Sequence, residues 1–376
     1  MKSKLPHITT SIFSKMTLLA KKHSAINLSQ GFPDFPMNPE LIRLIESGVK
    51  KNIHQYCPSS GHNGLLEQIN VLIHNSYQRN INIGDELLIT AGATQAIFTA
   101  IQAIVYPGDE VIILDPSYDC YLAPIQLSKG VPVRIPLNKE FLPDWTNIKK
   151  HITPKTKLII TNNPHNPSGR VWNEGDMKQL GSLLEENPKL HLLSDEVYEY
   201  ITFEKKHLSA HLYESLRSKS IIISSFGKTL HVTGWKIGYM VADKSIMDEI
   251  KKIHQYMVFS VNSLCQHVIY EYLKNSSLQN IGSLYQKKRD LFREGLQKSR
   301  FNILPCDGTY FQTLDYSKIS NKTDLEFAEE LTEKYGVASI PVSVFSEKDN
   351  HKNMLRFCFA KQDDTIRKAT NLLCKI

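Results

Sequence analysis

Paired cysteines are missing from this sequence. Six stand in 376 residues, Cys57, Cys120, Cys265, Cys306, Cys358 and Cys374, and no two form a C-x-x-C. That spacing excludes a disulfide framework and leads us to expect reduced thiols in a cytoplasmic compartment. Charge of one sign is nowhere massed either. The net charge of +7 is spread over pairs such as Lys21-Lys22 and Lys149-Lys150, with Lys287-Lys288-Arg289 the densest group. No basic stripe with interleaved aromatics appears, so nucleic acid is not an expected partner. The 14 histidines include no H-E-x-x-H or comparable ligand spacing, so no metal is expected. The segment from Leu87 to Gly108 carries no charge, yet Thr90, Thr94, Gln95, Thr99 and Gln102 interrupt it and Ala91-Gly92-Ala93 breaks it. A strand, a turn and a buried helix account for it, and no membrane span is expected. Met1-Lys2-Ser3-Lys4-Leu5-Pro6-His7 lacks the apolar core of a signal peptide. Repeats, low-complexity tracts and Gly/Ser linkers are absent as well.

What remains is an ordinary globular composition, 41% hydrophobic and 22% charged. Short β-branched runs alternate with helical patterns, which predicts an α/β chain with a mostly parallel sheet covered on both faces. Seven strands are expected, at Glu86–Thr90, Glu110–Asp115, Val131–Ile135, Lys157–Thr161, Leu190–Asp195, Ser220–Ser224 and Ile237–Val241. Helices are expected at Thr94–Val105, Glu174–Glu186 and Lys244–Tyr256. Residues 41–282 read as a large domain and 283–376 as a smaller α+β one with strands at Gly308–Phe311 and Met354–Phe359. Residues 1–40 are expected to pack with the small domain, burying Ile12, Phe13 and Met16.

Ligands of open α/β sheets bind beyond the carboxyl ends of the strands, so the residues that follow each strand are the informative ones. Ala91-Gly92-Ala93-Thr94-Gln95 opens a helix whose free N–H groups suit a phosphate; a plain turn with a Thr cap explains it equally well. Tyr118, in Pro116-Ser117-Tyr118-Asp119-Cys120-Tyr121, is placed to stack on a planar ligand, or to pack under a loop. Asn166 lies in the turn Asn162-Asn163-Pro164-His165-Asn166-Pro167-Ser168-Gly169, where it offers an amide donor, although such a composition also suits a surface turn. Asp195 ends an apolar strand, where a buried carboxylate needs a cationic partner; a helix N-cap is the simpler alternative. Lys228, in Ser225-Phe226-Gly227-Lys228-Thr229, brings an amine able to condense with a carbonyl. Ser225 adds a hydroxyl and Lys236 a second positive charge. Together these groups match pyridoxal 5′-phosphate: its phosphate, ring face, O3′, ring nitrogen and aldehyde each find a partner.

Asn162-x-Pro-x-Asn166-Pro-Ser-Gly, Ser194-Asp195-Glu196-Val197-Tyr198, Ser225-Phe226-Gly227-Lys228-Thr229, Thr233-Gly234-Trp235-Lys236-Ile237-Gly238 and Leu355-Arg356-Phe357-Cys358-Phe359-Ala360 resemble the class I aminotransferases of fold-type I. The likeness runs from about Ile26 to the C-terminus. Ile26-Asn27-Leu28-Ser29-Gln30-Gly31-Phe32-Pro33-Asp34-Phe35, His254-Gln255-Tyr256, Phe259-Ser260-Val261-Asn262 and Ile340-Pro341-Val342-Ser343-Val344-Phe345 resemble the kynurenine/glutamine branch, in particular its bacterial methionine aminotransferases. The resemblance implies that Lys228 links covalently to pyridoxal phosphate and shuttles the proton. It implies that Asp195 meets the pyridine nitrogen, Asn166 and Tyr198 meet O3′, and Tyr118 stacks on the ring. Ser225, Lys236 and the segment Ala93-Thr94-Gln95 would hold the phosphate, with Tyr56 reaching the phosphate of a neighbouring subunit in a homodimer. Arg356, with the Gly31 backbone and Asn166, would clamp the substrate α-carboxylate. Lys236 stands where aspartate aminotransferases carry arginine; lysine grips phosphate as a point charge.

The implied reaction moves an amino group from L-methionine, and also from aromatic amino acids or glutamine, to a 2-oxo acid, with Phe32, Tyr118 and Phe259 as candidates for the side-chain pocket. Apolar pockets separate such side chains by only about 1–3 kcal/mol per methylene, so breadth is expected. Alternatives with the same cofactor are a cysteine-S-conjugate or cystathionine β-lyase and a kynurenine–oxoglutarate aminotransferase. A P-loop would need glycine five residues before Gly227, where Ile222 stands. A regulator built on the same fold would need an added helix-turn-helix module, for which about 25 residues before the matching segment are too few.

Overall fold

The computed structural model describes residues 2–6, 8, 10–278, 280–347 and 352–376. Met1 and His7, part of the stretch read above for a leader, lie outside the described residues. Among the described residues no helix is long and apolar enough to cross a membrane.

The strands are β1 (Ile26–Asn27), β2 (Leu87–Thr90), β3 (Glu110–Asp115), β4 (Val131–Pro136), β5 (Thr156–Asn162), β6 (His191–Asp195), β7 (Ser220–Ser225), β8 (Gly238–Ala242), β9 (Asn302–Ile303), β10 (Phe311–Asp315), β11 (Val337–Ala338), β12 (Ile340–Pro341) and β13 (Met354–Cys358). Seven of them form the main sheet in the order β2-β8-β7-β6-β5-β3-β4. Only β8 runs against its neighbours, pairing antiparallel with both β2 and β7. The mostly parallel sheet read from the sequence is therefore present, and each expected strand lies within two residues of its observed ends.

Continuous apolar runs form these strands because both faces of the sheet are covered. Ile221 and Ile223 pack with Leu193 and Ile113 against the helices Ala93–Ile104 and Lys244–Met257. Ile222, between them, points the other way with Leu192 and Ile159, toward the helix Glu174–Glu186. At the β2 and β8 end, Leu87, Ile89, Tyr239 and Val241 meet Ile69 and Ile73 of the helix Asn63–Tyr77 and Val268 of the helix Ser263–Asn275. Asn173 and Asp176 close a capping box at the start of Glu174–Glu186, which explains why that boundary was legible.

A second sheet has the order β12-β13-β10-β9, and β1 pairs in parallel with β11. Met16 of the helix Ile12–Lys22 and Leu28 share one core with Phe327, Leu331, Phe357 and Ile366. One expectation is corrected here: the strand placed at Gly308–Phe311 begins only at Phe311. Thr309 takes a left-handed conformation at φ 65°, which interrupts an extended run. Gly308 lies so close to the Ile201 carbonyl that a Cβ there would stand 2.8 Å from its oxygen. The strand expected at Met354–Phe359 ends one residue earlier, at Cys358.

Candidate active site

The carboxyl ends of β2, β3, β5, β6 and β7 lie along one edge of the main sheet, together with the start of β8, where Gly238 pairs with both Thr90 and Ser225. A cavity of about 350 Å³ opens there. Gly31, Ala93, Thr94, Tyr118, Asn166, Asp195, Tyr198, Ser225, Lys228, Lys236 and Arg356 all line it. These eleven candidates come from eight separate segments of the chain, brought together by the sheet and by the strand β13.

The phosphate-sized corner is built around Gly92, which precedes the helix Ala93–Ile104 at φ 78°. A Cβ at this position would stand 3.3 Å from Lys236 Nζ, so the ammonium lies against the helix start. Two positive features side by side, a helix N-terminus and an ammonium, are unfavourable unless an anion sits between them. Ser225 caps the one-turn helix Phe226–Thr229, accepting from Gly227 N–H at 3.2 Å, and its hydroxyl faces the same cavity. Lys228 rides on that single turn and projects its amine inward.

Asp195 is 3% exposed. Its carboxylate accepts from Tyr121 Oη at 2.6 Å and from Val197 N–H at 3.4 Å, without an ion pair among the described residues. Burial lifts its pKa to about 6, against which the Tyr121 bond pulls downward. A cation at that spot would relieve the cost of burying the charge. Lys228 is shifted the other way, down to about 8, first by burial and further by the nearby Arg356 and Lys236 charges. Its Nζ donates to Gly31 O at 3.5 Å. Burial also raises Tyr118 and Tyr198, which keeps both phenols protonated.

Arg356 is 1% exposed, the largest fully buried side chain of the described residues. Its Nη1 donates to Asn166 Oδ1 at 2.7 Å and its Nη2 to Ser29 O at 3.2 Å, while the guanidinium lies 3.9 Å over the Phe311 ring. Nε has no partner, and no carboxylate pairs with the group among the described residues. A buried guanidinium held only by neutral acceptors is costly and fits a planar carboxylate that arrives from outside.

Two candidates are placed elsewhere. Gln95 turns back into its own helix: Oε1 accepts from Ala91 N–H at 2.9 Å and Nε2 donates to Thr99 Oγ1 at 2.5 Å. Both ends of its amide are used, so its side chain does not face the cavity. Tyr56 is 80% exposed and meets the edge of Phe259, 5.2 Å between ring centroids. Phe259, expected in a side-chain pocket, is likewise half exposed and outside this cavity, whereas Phe32 lines it.

Sequence reasoning missed Tyr121, Phe13, Gln30 and Tyr310. Tyr121 follows Tyr118 by three residues, in the turn Asp119–Tyr121, and no local pattern marks its contact with Asp195. Its donated bond favours the ionised Asp195, and bonds to charged groups are worth about 1.5–3 kcal/mol. Tyr121→Phe is thus expected to raise the Asp195 carboxyl by about one pH unit or more, so that less of it is ionised at neutral pH. A carbon-13 NMR titration of the cofactor-free protein checks this; an unmoved midpoint would leave Tyr121 as packing alone.

The profile of the aminotransferases of class I and II matches residues 23–373. The chain is 41% identical to a methionine aminotransferase of Escherichia coli, over 99% of this chain and 97% of that one. It is 33% identical to a kynurenine–oxoglutarate transaminase of Dictyostelium discoideum, over 97% of this chain and 94% of that one. A crystal structure of an Escherichia coli protein identified as a methionine aminotransferase superposes with a TM-score of 0.98 at 41% identity, covering 100% of this chain and 99% of the other.

Proposed function

Since the chain belongs to the class I and II aminotransferases, we propose that it takes the amino group of L-methionine and passes it to a 2-oxo acid. It is a transaminase of the fold-type I architecture, and its cofactor is pyridoxal phosphate. The donor set fits that group: an anion corner at Gly92 and Lys236, a buried acid without a cation, and an amine within one cavity. Once bound, pyridoxal phosphate supplies an aldehyde for the amino group and a protonated ring that accepts electrons from the substrate Cα–H bond.

The remaining work falls to the protein's own side chains. Lys228 would hold the aldehyde and, when free again, would accept a proton at Nζ from the substrate Cα and deliver it to the former aldehyde carbon. Asp195 keeps the ring nitrogen protonated, and Tyr121 holds Asp195. Asn166 and Tyr198 donate to O3′, and Tyr118 covers one ring face. Ser225, Lys236 and the N–H groups at Ala93 and Thr94 carry the phosphate. Arg356 fixes the α-carboxylate with Asn166 and the Gly31 backbone. Tyr56 completes the phosphate site of a second copy, which makes the protein a homodimer; its exposed pairing with Phe259 supports that reading. Residues 1–40, 41–282 and 283–376 are taken as N-terminal segment, large domain and small domain. The cytoplasm is the expected location, in keeping with free cysteines throughout.

The buried Arg356 with its unpaired Nε carries the amino-acid reading, and Phe13, Phe32 and Ile97 on the same cavity wall favour an apolar side chain over a charged one. The test is a visible spectrum of the cofactor-loaded protein, taken before and after adding L-methionine without acceptor. Loss of the yellow band, with 2-oxo-4-methylthiobutanoate formed one-for-one, is the expected result. A band bleached by an aromatic amino acid and unmoved by methionine would keep the transaminase and overturn the substrate. Ammonia released from an S-substituted cysteine faster than any transamination would favour a β-lyase.

A further inference from the structure

The Lys228 amine is enclosed by two rings, and only one of them, Tyr198, has a role so far. Nζ stands 5.8 Å from the Tyr198 ring centroid and 5.6 Å from that of Tyr310. The rings meet edge to face at 89°, with centroids 5.3 Å apart. Tyr310 is fully buried, and its hydroxyl donates to Gly31 O at 2.6 Å. That carbonyl is the same one Lys228 Nζ reaches at 3.5 Å.

The position of Gly31 is itself over-determined. A Cβ on it would stand 2.8 Å from the Phe311 ring, and Phe311 in turn lies under the Arg356 guanidinium. The dipeptide Tyr310-Phe311 thus places one ring beside the amine and the next beside the guanidinium. Thr309, at φ 65°, sets the turn that delivers both.

From this geometry we infer that Tyr310 is a positioning residue for Lys228: its ring faces the ammonium and its hydroxyl fixes the Gly31 carbonyl that the ammonium meets. The inference rests on the proposed role of Lys228. A lysine that moves protons has a long flexible stem and must be kept within reach of one carbon atom; a misplacement of about an ångström costs on the order of a hundredfold in rate. The two rings also favour the protonated amine, since an aromatic face attracts a cation. The charged and titratable groups facing Nζ are Asp195 and Tyr198 at the end of β6, Lys236 before β8, Tyr310 before β10, and Arg356 and Cys358 on β13. Tyr310 is the one among them that also holds Gly31.

Cofactor-free protein is mixed with pyridoxal phosphate at a series of pH values, and the rise of visible absorbance gives the rate at which Lys228 captures the aldehyde with loss of water. Only the neutral amine reacts, so the rate profile reports its midpoint, expected near 8 in the unaltered chain. Tyr310→Leu removes the ring and is expected to lower that midpoint by about half a pH unit or more. Tyr310→Phe keeps the ring and should leave the midpoint in place. Losing the hydroxyl should still lower kcat about tenfold at unchanged cofactor affinity, through loosened placement. A residue that merely fills space would lower stability without moving the midpoint. Equal midpoints in all three proteins, or full kcat in Tyr310→Phe, would overturn the inference. Should Tyr310→Leu not fold, the kcat of Tyr310→Phe decides alone. If Lys228→Ala captured the aldehyde with the same spectrum and rate, the reading of Lys228 itself would fail.

Discussion

Lys228→Ala is expected to lose transamination by at least ~10⁴-fold, the upper range for a positioned proton-transfer group, because it also loses the covalent hold on the aldehyde. The measure is oxo-acid formation from L-methionine, with cofactor content determined on the same sample. The protein should fold and still retain pyridoxal phosphate, since the anion corner at Gly92, Ser225 and Lys236 and the acid Asp195 remain in place. Removing the amine also relieves a buried charge that burial already disfavours, so thermal stability should hold or rise. Turnover within tenfold of the unaltered protein would show that another group carries the proton.

Arg356→Gln carries the second large effect, in a different parameter. Truncating one partner of a buried, hydrogen-bonded ion pair costs about 2–5 kcal/mol, or roughly 30-fold to a few thousandfold in kcat/KM for the amino acid. The loss should fall mainly on KM, because Arg356 meets the carboxylate and not the reacting carbon. Arg356→Lys should recover little, since a lysine cannot reproduce the fork that reaches Asn166 and Ser29 while facing the ligand. Steady-state kinetics with L-methionine, beside cofactor affinity as control, checks both variants. Equal KM in Arg356→Gln would place the carboxylate elsewhere.

Most of the sheet was legible because its signals are local. Buried strands are continuous runs such as Ser220–Ser225, and turn residues end each one. The strand-end rule then found eight residues of one cavity without knowledge of their contacts, and the family resemblance added Gly31, Tyr198 and Arg356. What failed had three causes. Gln95 lost to an interaction within its own helix: Thr99, four residues on, takes its amide. That spacing was visible in the sequence and points to a helix-surface bond. Tyr121 and Tyr310 depend on partners far along the chain, 74 and 279 residues away, a distance over which a sequence pattern says nothing of contact. Thr309 hid the true start of β10, since no composition rule marks a threonine for a left-handed turn.

The reversed strand β8 has a consequence for how the chain is made. β2 ends the sheet, and β8 is its sole strand neighbour there. Its other edge is met by the loop before the helix Asn63–Tyr77, where Ile89 N–H donates to Ser60 O. At ~5–20 residues per second, the ~150 residues between β2 and β8 take roughly 8–30 s to be synthesised. For that interval the strand Leu87-Leu88-Ile89-Thr90, three of its four residues apolar, waits with one open edge beside a ribosome, an adhesive edge of the kind that proteins usually cover. The anion corner waits equally long, because Lys236 reaches Gly92 only when β8 slides between β2 and β7. Closing the sheet and completing the phosphate site are therefore a single late event, and a nascent chain lacking β8 has neither.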